Sequence, residues 1–155
     1  MLELVRPDSP DLWGAARALV EEYAAQLNVD LSFQDFQHEI EGLARGYGPP
    51  DGCFLLAMQD AAWVGCGGVR RFDASTCEMK RLYVVPAMRG GRIGRALADA
   101  LITHARDLGY GTILLDTLPS MKSAQRLYVD LGFVRTGPYR YNPVPGATYW
   151  SLPLR

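Results

Sequence analysis

A glycine-rich basic stretch lies where a predicted strand gives way to a predicted helix. It reads Arg89-Gly90-Gly91-Arg92-Ile93-Gly94-Arg95 and follows an apolar strand that ends before Pro86. Free N–H groups at a helix N-terminus attract anions, glycines allow close backbone approach, and arginines add positive charge. The stretch lacks the Gly-Lys-Ser/Thr of a Walker loop and the spacing of a GxGxxG motif. It predicts a phosphate site, and the alternative is a turn with a solvated basic rim.

The cysteines and histidines form no recognisable chemical motif. Cys53, Cys66 and Cys77 include no CxxC pair, and neither His38 nor His104 has the spacing of a metal ligand. No histidine adjoins a cysteine in the sequence, so nothing favours a cysteine acyl intermediate. An odd number of thiols, with no signal peptide at the start, is typical of a reducing compartment. We therefore expect a cytoplasmic protein that needs no metal.

The elements that position the basic stretch follow from hydrophobic periodicity and turn residues. Ser9 and Pro10 mark the start of the first helix, and Gly109 and Gly132 mark the ends of two later ones. We predict strands over residues 2–6, 53–59, 63–72, 77–85, 112–116, 133–135 and 147–152, and helices over 10–27, 32–45, 91–108 and 121–131. This order predicts one mixed α/β domain that spans residues 1–155.

Composition and charge exclude several classes of protein. The chain has 155 residues, of which 48% are hydrophobic and 21% are charged, so collagen-like and disordered classes are excluded. No run of 18 apolar residues is present. The formal net charge is −1, which argues against nucleic acid or a membrane surface as a partner. The two halves differ, however, because residues 1–77 carry 5 Arg against 12 acids and residues 78–155 carry 11 Lys/Arg against 5 acids.

Three segments together resemble one known family. They are Glu78-Met79-Lys80-Arg81-Leu82-Tyr83-Val84, the basic stretch from Arg89 to Gly94, and Ser123-Ala124-Gln125-Arg126-Leu127-Tyr128-Val129-Asp130-Leu131-Gly132-Phe133. Their types and spacing are similar to the GNAT (GCN5-related) N-acetyltransferase superfamily, in its small single-domain bacterial form. Arg92 departs from the family pattern, which usually has a glycine there. The resemblance implies an α/β fold whose central, mostly antiparallel twisted sheet is flanked by helices.

The resemblance implies acetyl-CoA as the cosubstrate. The backbone of the strand at Leu82, Tyr83 and Val84 would pair with the pantetheine arm, as an added β-strand does. Ser123 would touch the same arm. The pyrophosphate would lie on the backbone amides of Arg89, Gly90, Gly91, Arg92, Ile93, Gly94 and Arg95.

The resemblance also assigns roles in acetyl transfer. Tyr128 would protonate the leaving thiolate, the N–H of Val84 would stabilise the oxyanion, and Glu78 would be the general base. Asp116 or a water relay is an alternative base. Each side chain also has a structural explanation: Glu78 could pair with Lys80 on the same strand face, Asp116 could be a polar strand end, and Tyr128 could be a core tyrosine.

The acceptor is expected to be a small cationic amine. Acidic and aromatic groups in the N-terminal helices and the C-terminal segment suit a cation through charge and cation–π contacts. We expect Tyr23, Asp116 and Tyr141 to bind it. The wider set comprises Glu21, Glu22, Asp30, Asp35, Glu39, Glu41, Tyr139, Asn142 and Tyr149.

Two other functions remain open at this point. One is a catalytically silent acyl-CoA-binding sensor, and the other is a phosphate- or nucleotide-binding domain unrelated to acetyl transfer. Relatives of this kind often pair, so a homodimer is possible.

Overall fold

The computed structural model describes residues 1–27 and 35–154, which form a seven-stranded sheet covered by helices. The strands lie in the order β1-β2-β3-β4-β5-β7-β6, and all neighbours are antiparallel except β4 and β5. The strands are β1 (Leu2–Val5), β2 (Cys53–Gln59), β3 (Ala62–Arg71), β4 (Thr76–Val84), β5 (Thr112–Thr117), β6 (Val134–Thr136) and β7 (Thr148–Pro153). The helices are α1 (Pro10–Leu27), α2 (Phe36–Glu41), α3 (Leu43–Tyr47), α4 (Ile93–Asp107) and α5 (Lys122–Leu131), with a 3-10 turn at Pro86–Met88.

Local sequence explains where most helices begin and end. The backbone N–H of Leu12 donates to Ser9 Oγ at 3.3 Å, so Ser9 caps α1 as predicted, and Pro10 is its first residue. Gly132 ends α5 with a φ of +99°, in the left-handed region that glycine tolerates. The helices α1 and α5 therefore match the predicted ranges 10–27 and 121–131 closely.

The second predicted helix, over residues 32–45, differs from what the structure shows. Its predicted start at Ser32 lies outside the described residues. From Phe36 onward there are two short helices, α2 and α3, which meet at Gly42, where φ is −132° and the backbone leaves the helical region. The break turns Glu39 of α2 toward the sheet, where it is 8% exposed.

Two hydrophobic layers hold the sheet between its helices. Successive side chains of a strand point to opposite faces, so Leu55 of β2 packs with Leu97 and Leu101 of α4. Its neighbours Phe54 and Leu56 pack on the other face, with the residues of α1 to α3. Both faces of the central strands are therefore buried.

The sheet opens between β4 and β5, the only parallel pair among the described strands. Thr76, Cys77 and Glu78 pair with Thr112, Ile113 and Leu114, and the pairing ends there although both strands continue. The two strands separate beyond this point, and one side of each is left without a strand partner. The separation creates a cleft at the C-terminal ends of β4 and β5.

A β-bulge in β4 lies at the start of this cleft. Lys80 pairs with Gly68 and Tyr83 pairs with Cys66, so Arg81 and Leu82 together oppose one residue of β3. Arg81 has a φ of +62°, a conformation that costs a non-glycine residue about 1–2 kcal/mol. Its guanidinium holds Glu39 of α2 through bonds of 2.8 and 2.9 Å, which keep the strained residue in place.

The described residues also bear on the expected partners. None of the helices within residues 1–27 and 35–154 is long and apolar enough to cross a membrane. Strands β1 and β6 form the two edges of the sheet. Pairing of two copies as a homodimer stays a prediction.

Candidate active site

The free side of β4 offers backbone groups to a ligand. The N–H of Val85 donates to the carbonyl of Val64 in β3 at 2.9 Å. Backbone groups alternate in direction along a strand, so Tyr83 also faces β3, whereas Leu82 and Val84 face away from it, toward the cleft. Of the three residues predicted to pair with the pantetheine arm, Leu82 and Val84 therefore present backbone groups that no strand pairs with.

Tyr83 contributes its side chain to the opposite face. Its ring is 4% exposed, packs edge-on against Tyr23 of α1 at 5.8 Å, and its hydroxyl donates to the carboxylate of Glu22. Burial and the Glu22 contact raise the pKa of the Tyr83 hydroxyl. The side chain of Tyr83 thus fixes α1 against the sheet.

Arg89 lies across the end of the free strand edge. Its Nε donates to the carbonyl of Val84 at 2.9 Å, and its Nη2 donates to Gln26 of α1 at 3.0 Å. The guanidinium also stands 5.6 Å from the centre of the Tyr83 ring. Arg89 therefore occupies one of the carbonyls that an added strand would use.

The basic stretch has the geometry of an anion site. Gly90 has a φ of +88°, which favours glycine, and α4 begins at Ile93 without a side-chain cap on its free N–H groups. Arg92 has an ordinary φ of −111°, so the position where the family usually has glycine carries a side chain here without strain. The side chains of Arg89, Arg92 and Arg95 are exposed around this helix start, where they can contact a phosphate group.

A cavity of about 40 Å³ lies between β4, β5, α1 and α5. Its walls combine five apolar side chains with seven that carry polar atoms. The lining residues are Tyr23, Leu27, Met79, Lys80, Arg81, Leu82, Asp116, Thr117, Leu118, Met121, Tyr128 and Asn142.

Tyr128 lies on α5 at the wall of this cavity. Its ring is 5% exposed and packs against Phe133 at 5.5 Å, while no described residue forms a hydrogen bond with its hydroxyl. Burial, followed by the nearby Tyr23 and Asp116, raises the pKa of this hydroxyl. Tyr128 is therefore a protonated group with an uncommitted hydroxyl at the site.

Glu78 is fully buried below the cavity, and its carboxylate is surrounded by donors. Oε2 accepts from the Tyr139 hydroxyl at 2.6 Å, and Oε1 accepts from Arg140 at 2.8 Å and from Arg70 at 3.3 Å. Burial alone would raise its pKa, but the charges of Lys80 and Arg70 and the Tyr139 bond outweigh this and hold the pKa below its ordinary value. Glu78 therefore functions here as a fixed anion.

Asp116, the penultimate residue of β5, lines the cavity, and one of its carboxylate oxygens has no hydrogen bond to a described residue. Asn142 donates to Oδ2 at 3.0 Å. Among the described residues, the cation paired with Oδ1 is Lys80, whose Nζ lies at 3.9 Å, which is too long for a hydrogen bond. Of the two carboxylates weighed as a base, Asp116 is the one with free accepting capacity toward the cavity.

The acids expected to hold a cationic acceptor are mostly bound elsewhere. Glu39 binds Arg81, Arg70 and Tyr47, and Glu22 binds Tyr83. Glu21 lies 3.6 Å from Arg17 and Glu41 accepts from Gln37 at 3.4 Å, on exposed helix faces, while Asp30 lies outside the described residues.

Of the other residues predicted to contact a ligand, some line the cavity and others lie outside it. Tyr23 and Asp116 line the cavity, whereas Tyr141 is 74% exposed and is not among the lining residues. Ser123 is exposed on the first turn of α5, where Arg126 lies 3.5 Å from its hydroxyl.

The sequence indicated Lys80 only as a partner for Glu78. In the structure its side chain is 3% exposed and lines the cavity beside Asp116. The spacing of Glu78 and Lys80, two positions apart, places both on one strand face, and this was the available indication. Arg70 and Arg140 had no local indication, because they reach Glu78 from other strands and loops.

Comparison with known proteins identifies the family. The model of the Acetyltransferase (GNAT) family matches residues 14–133. An uncharacterized N-acetyltransferase of Schizosaccharomyces pombe is 40% identical over 140 residues, which cover 89% of this chain and 86% of that protein. An IAA acetyltransferase of Azospirillum brasilense is 34% identical over 151 residues, with 95% of both chains covered.

Solved structures share the same fold. A GNAT acetyltransferase from Staphylococcus aureus superimposes with a TM-score of 0.81 at 20% identity, covering 100% of both chains. A Salmonella typhimurium structure that holds acetyl-CoA has a TM-score of 0.70 at 20% identity, covering 100% of this chain and 95% of that one.

Within the described residues, no group of three or more His, Cys, Asp or Glu side chains is arranged to hold a metal ion.

The free backbone of β4, the uncapped start of α4 and the exposed arginines fit acetyl-CoA as cosubstrate. The predicted fold and family are confirmed, and the chain belongs to the GNAT family of N-acetyltransferases.

Proposed function

We propose that this acetyltransferase moves the acetyl group of acetyl-CoA to the amine of a small molecule by direct attack in a ternary complex. The amine nitrogen bonds to the acetyl carbon, the carbon–sulfur bond breaks, the sulfur gains a proton and the nitrogen loses one. Two proton transfers and one developing oxyanion therefore need protein groups.

The observation that carries the proposal is the free hydroxyl of Tyr128 in the cavity wall. Its raised pKa keeps the proton on the oxygen at neutral pH. The leaving thiolate needs a proton, and Tyr128 has no described hydrogen-bond acceptor that would compete for its own. We therefore assign Tyr128 as the general acid.

Asp116 is the group best arranged to receive the amine. An amine with the pKa of lysine is neutral only about once in 10³ molecules at pH 7, so its proton must be removed. Oδ1 of Asp116 can accept that proton directly or through a water, while Asn142 holds Oδ2. This assignment moves the base from Glu78, whose oxygens are occupied by Tyr139, Arg140 and Arg70.

The oxyanion would be stabilised by the backbone N–H of Val84, which faces the cleft. Backbone donors that are fixed before the reaction stabilise charge without reorganisation. The bulge at Arg81 and the separation of β4 from β5 keep that N–H free of a strand partner.

Direct attack is favoured because the cysteines are poor nucleophiles. Cys53, Cys66 and Cys77 are all buried, and none of them lines the cavity. Burial raises the pKa of each thiol, that of Cys77 to about 12, so the thiolate is scarce at neutral pH.

The test is Tyr128→Phe, assayed by thiol release over a panel of amines at saturating acetyl-CoA. We expect kcat to fall by about 10²- to 10⁴-fold, with the Kd of acetyl-CoA unchanged. Tyr110→Phe is the control, because it also removes the hydroxyl of a buried tyrosine, one that donates to the carbonyl of Asp51 away from the cavity. Unchanged kcat in Tyr128→Phe, with chemistry rate-limiting, would overturn the assignment of the acid.

A further inference from the structure

The ammonium group of Lys80 is buried at the cavity with its donors uncommitted. Nζ lies 3.7 Å from Oε2 of Glu78 and 3.9 Å from Oδ1 of Asp116, beyond hydrogen-bonding distance of both. No described residue supplies a closer acceptor, although the side chain is only 3% exposed. A buried ammonium ordinarily finds acceptors for its three hydrogens, because leaving them unpaired is costly.

The arginines around Lys80 are committed to carboxylates in a way that Lys80 is not. Arg81 bonds Glu39 at 2.8 and 2.9 Å, Arg140 bonds Glu78 at 2.8 Å, and Arg70 reaches both acids at 3.3 Å. These bonds occupy the oxygens of Glu78 and Glu39, so Lys80 contributes its charge to Glu78 from 3.7 Å but no hydrogen bond. The three donors of Nζ therefore remain available at the cavity wall.

Asp116 offers the complementary group to the same space. Its Oδ1 is an unfilled acceptor 3.9 Å from the unfilled donors of Lys80. An anionic acceptor and a cationic donor at this separation form a pair that can be bridged by a ligand carrying both charges.

An α-amino acid has the required dimensions. Its amine nitrogen and its nearer carboxylate oxygen are about 3 Å apart. Hydrogen bonds of about 2.8 Å could then run from the amine to Oδ1 and from Nζ to the carboxylate. The two protein groups and the two ligand groups would then form a closed ring. The amine would lie on Asp116, where the proposed base needs it.

We propose that the acceptor is a free α-amino acid, whose carboxylate binds Lys80 while its amine binds Asp116. This inference rests on the proposed N-acetyltransferase function and narrows its substrate class. It replaces the expectation of a cationic acceptor, since the acids behind that expectation are bound elsewhere. A second positive charge on the acceptor would meet the buried Lys80 ammonium and be repelled.

The experiment compares free amino acids with their carboxamides at saturating acetyl-CoA, in the wild-type protein. The amide removes the carboxylate and keeps the same carbon skeleton. The α-amine of an amide is less basic than that of the free amino acid, so a larger fraction of it is neutral. Amine reactivity alone would therefore favour the amide. We expect the amino acid to show a kcat/KM about 10- to 100-fold higher than its amide, because a charged hydrogen bond is lost with the amide.

Lys80→Met tests the residue itself. It should reduce the preference for acid over amide to near unity, mainly through the KM of the amino acid. Lys122→Met is the matched control, because Lys122 is the other lysine of the chain and is exposed on α5. Acetyl-CoA binding by each variant reports whether its fold is intact.

The outcomes separate the inference from the function on which it rests. Equal or better turnover of amides, or of polyamines, overturns the amino-acid acceptor and leaves N-acetyl transfer standing. Absence of turnover on every amine, with acetyl-CoA bound, overturns the proposed function. A preference for free amino acids supports the inference even if Lys80→Met does not fold.

Discussion

The hydroxyl of Tyr139 donates to Oε2 of Glu78 at 2.6 Å, which ties the segment between β6 and β7 to the middle of the sheet. Arg140, the next residue, bonds the other carboxylate oxygen at 2.8 Å. One buried carboxylate thus holds two consecutive residues of a segment that also supplies Asn142 to the cavity. If the proposed function holds, this relationship would make Glu78 a positioning residue for the acceptor side of the site.

Glu78→Gln should therefore destabilise the protein more than it changes the chemistry. The substitution leaves Arg70, Arg140 and Lys80 without their shared counter-charge, and removal of one partner from a buried ion pair costs about 3–5 kcal/mol. Urea denaturation measures this loss. Tyr139→Phe should cost about 1.5–3 kcal/mol by the same assay, because it removes one hydrogen bond to a charged group.

The pH profile of kcat/KM separates this role from that of a general base. If Glu78 were the base, Glu78→Gln would lose about 10²- to 10⁴-fold in kcat with the fold stable, and the acidic limb of the profile would disappear. Retention of that limb in Glu78→Gln, and its loss in Asp116→Asn, is the expected result.

Arg89 should affect different parts of coenzyme A in opposite directions. Its Nε donates to the carbonyl of Val84, so it competes with an amide of the pantetheine arm. Its charge, however, favours the phosphates. Arg89→Ala should weaken binding of CoA by about 10-fold and strengthen or preserve binding of pantetheine, which has no phosphate. Isothermal titration with both ligands measures this, and equal weakening of both would contradict it.

The position of Arg92 predicts how a family-like glycine would behave. Because its φ is −111°, no backbone strain is relieved by glycine at this position. Arg92→Gly and Arg92→Ala should therefore weaken CoA binding equally, by about 3- to 10-fold, through loss of one charge near phosphate. Tighter binding by the glycine variant would show that the arginine backbone hinders the phosphate loop.

The sequence could predict those parts of the site that depend on local patterns. The apolar stripe of α5 placed Tyr128 on a buried face, and the glycines with Pro86 located the start of α4. The cluster beneath the cavity could not be predicted, since Glu78 meets Tyr139 and Arg140 across 61 and 62 positions of chain. Such contacts depend on how β4 and β5 separate. That separation is set by the register of the sheet and is not visible in a local sequence pattern.

Lys80 also makes a prediction about stability. Burial lowers its pKa to about 8, against a partial rise from Glu78 and Asp116, while Arg81 and Arg70 lower it further. The unfolded chain keeps the ordinary pKa of about 10.4, so between pH 8 and pH 10 the unfolded state binds more protons than the folded state. Stability therefore rises with pH over this interval, because the penalty for burying the charge, fully present below pH 8, is relieved as the folded lysine loses its proton.

Lys80→Met removes this titration and provides the comparison. The stability of the wild type relative to Lys80→Met should increase by about 2 kcal/mol between pH 8 and pH 10, since one unit of pKa difference corresponds to about 1.4 kcal/mol. Urea denaturation of both proteins at a series of pH values measures the difference. The tyrosines titrate in both proteins, so their contributions to the difference largely cancel. A constant difference across the series would mean that buried Lys80 keeps an ordinary pKa.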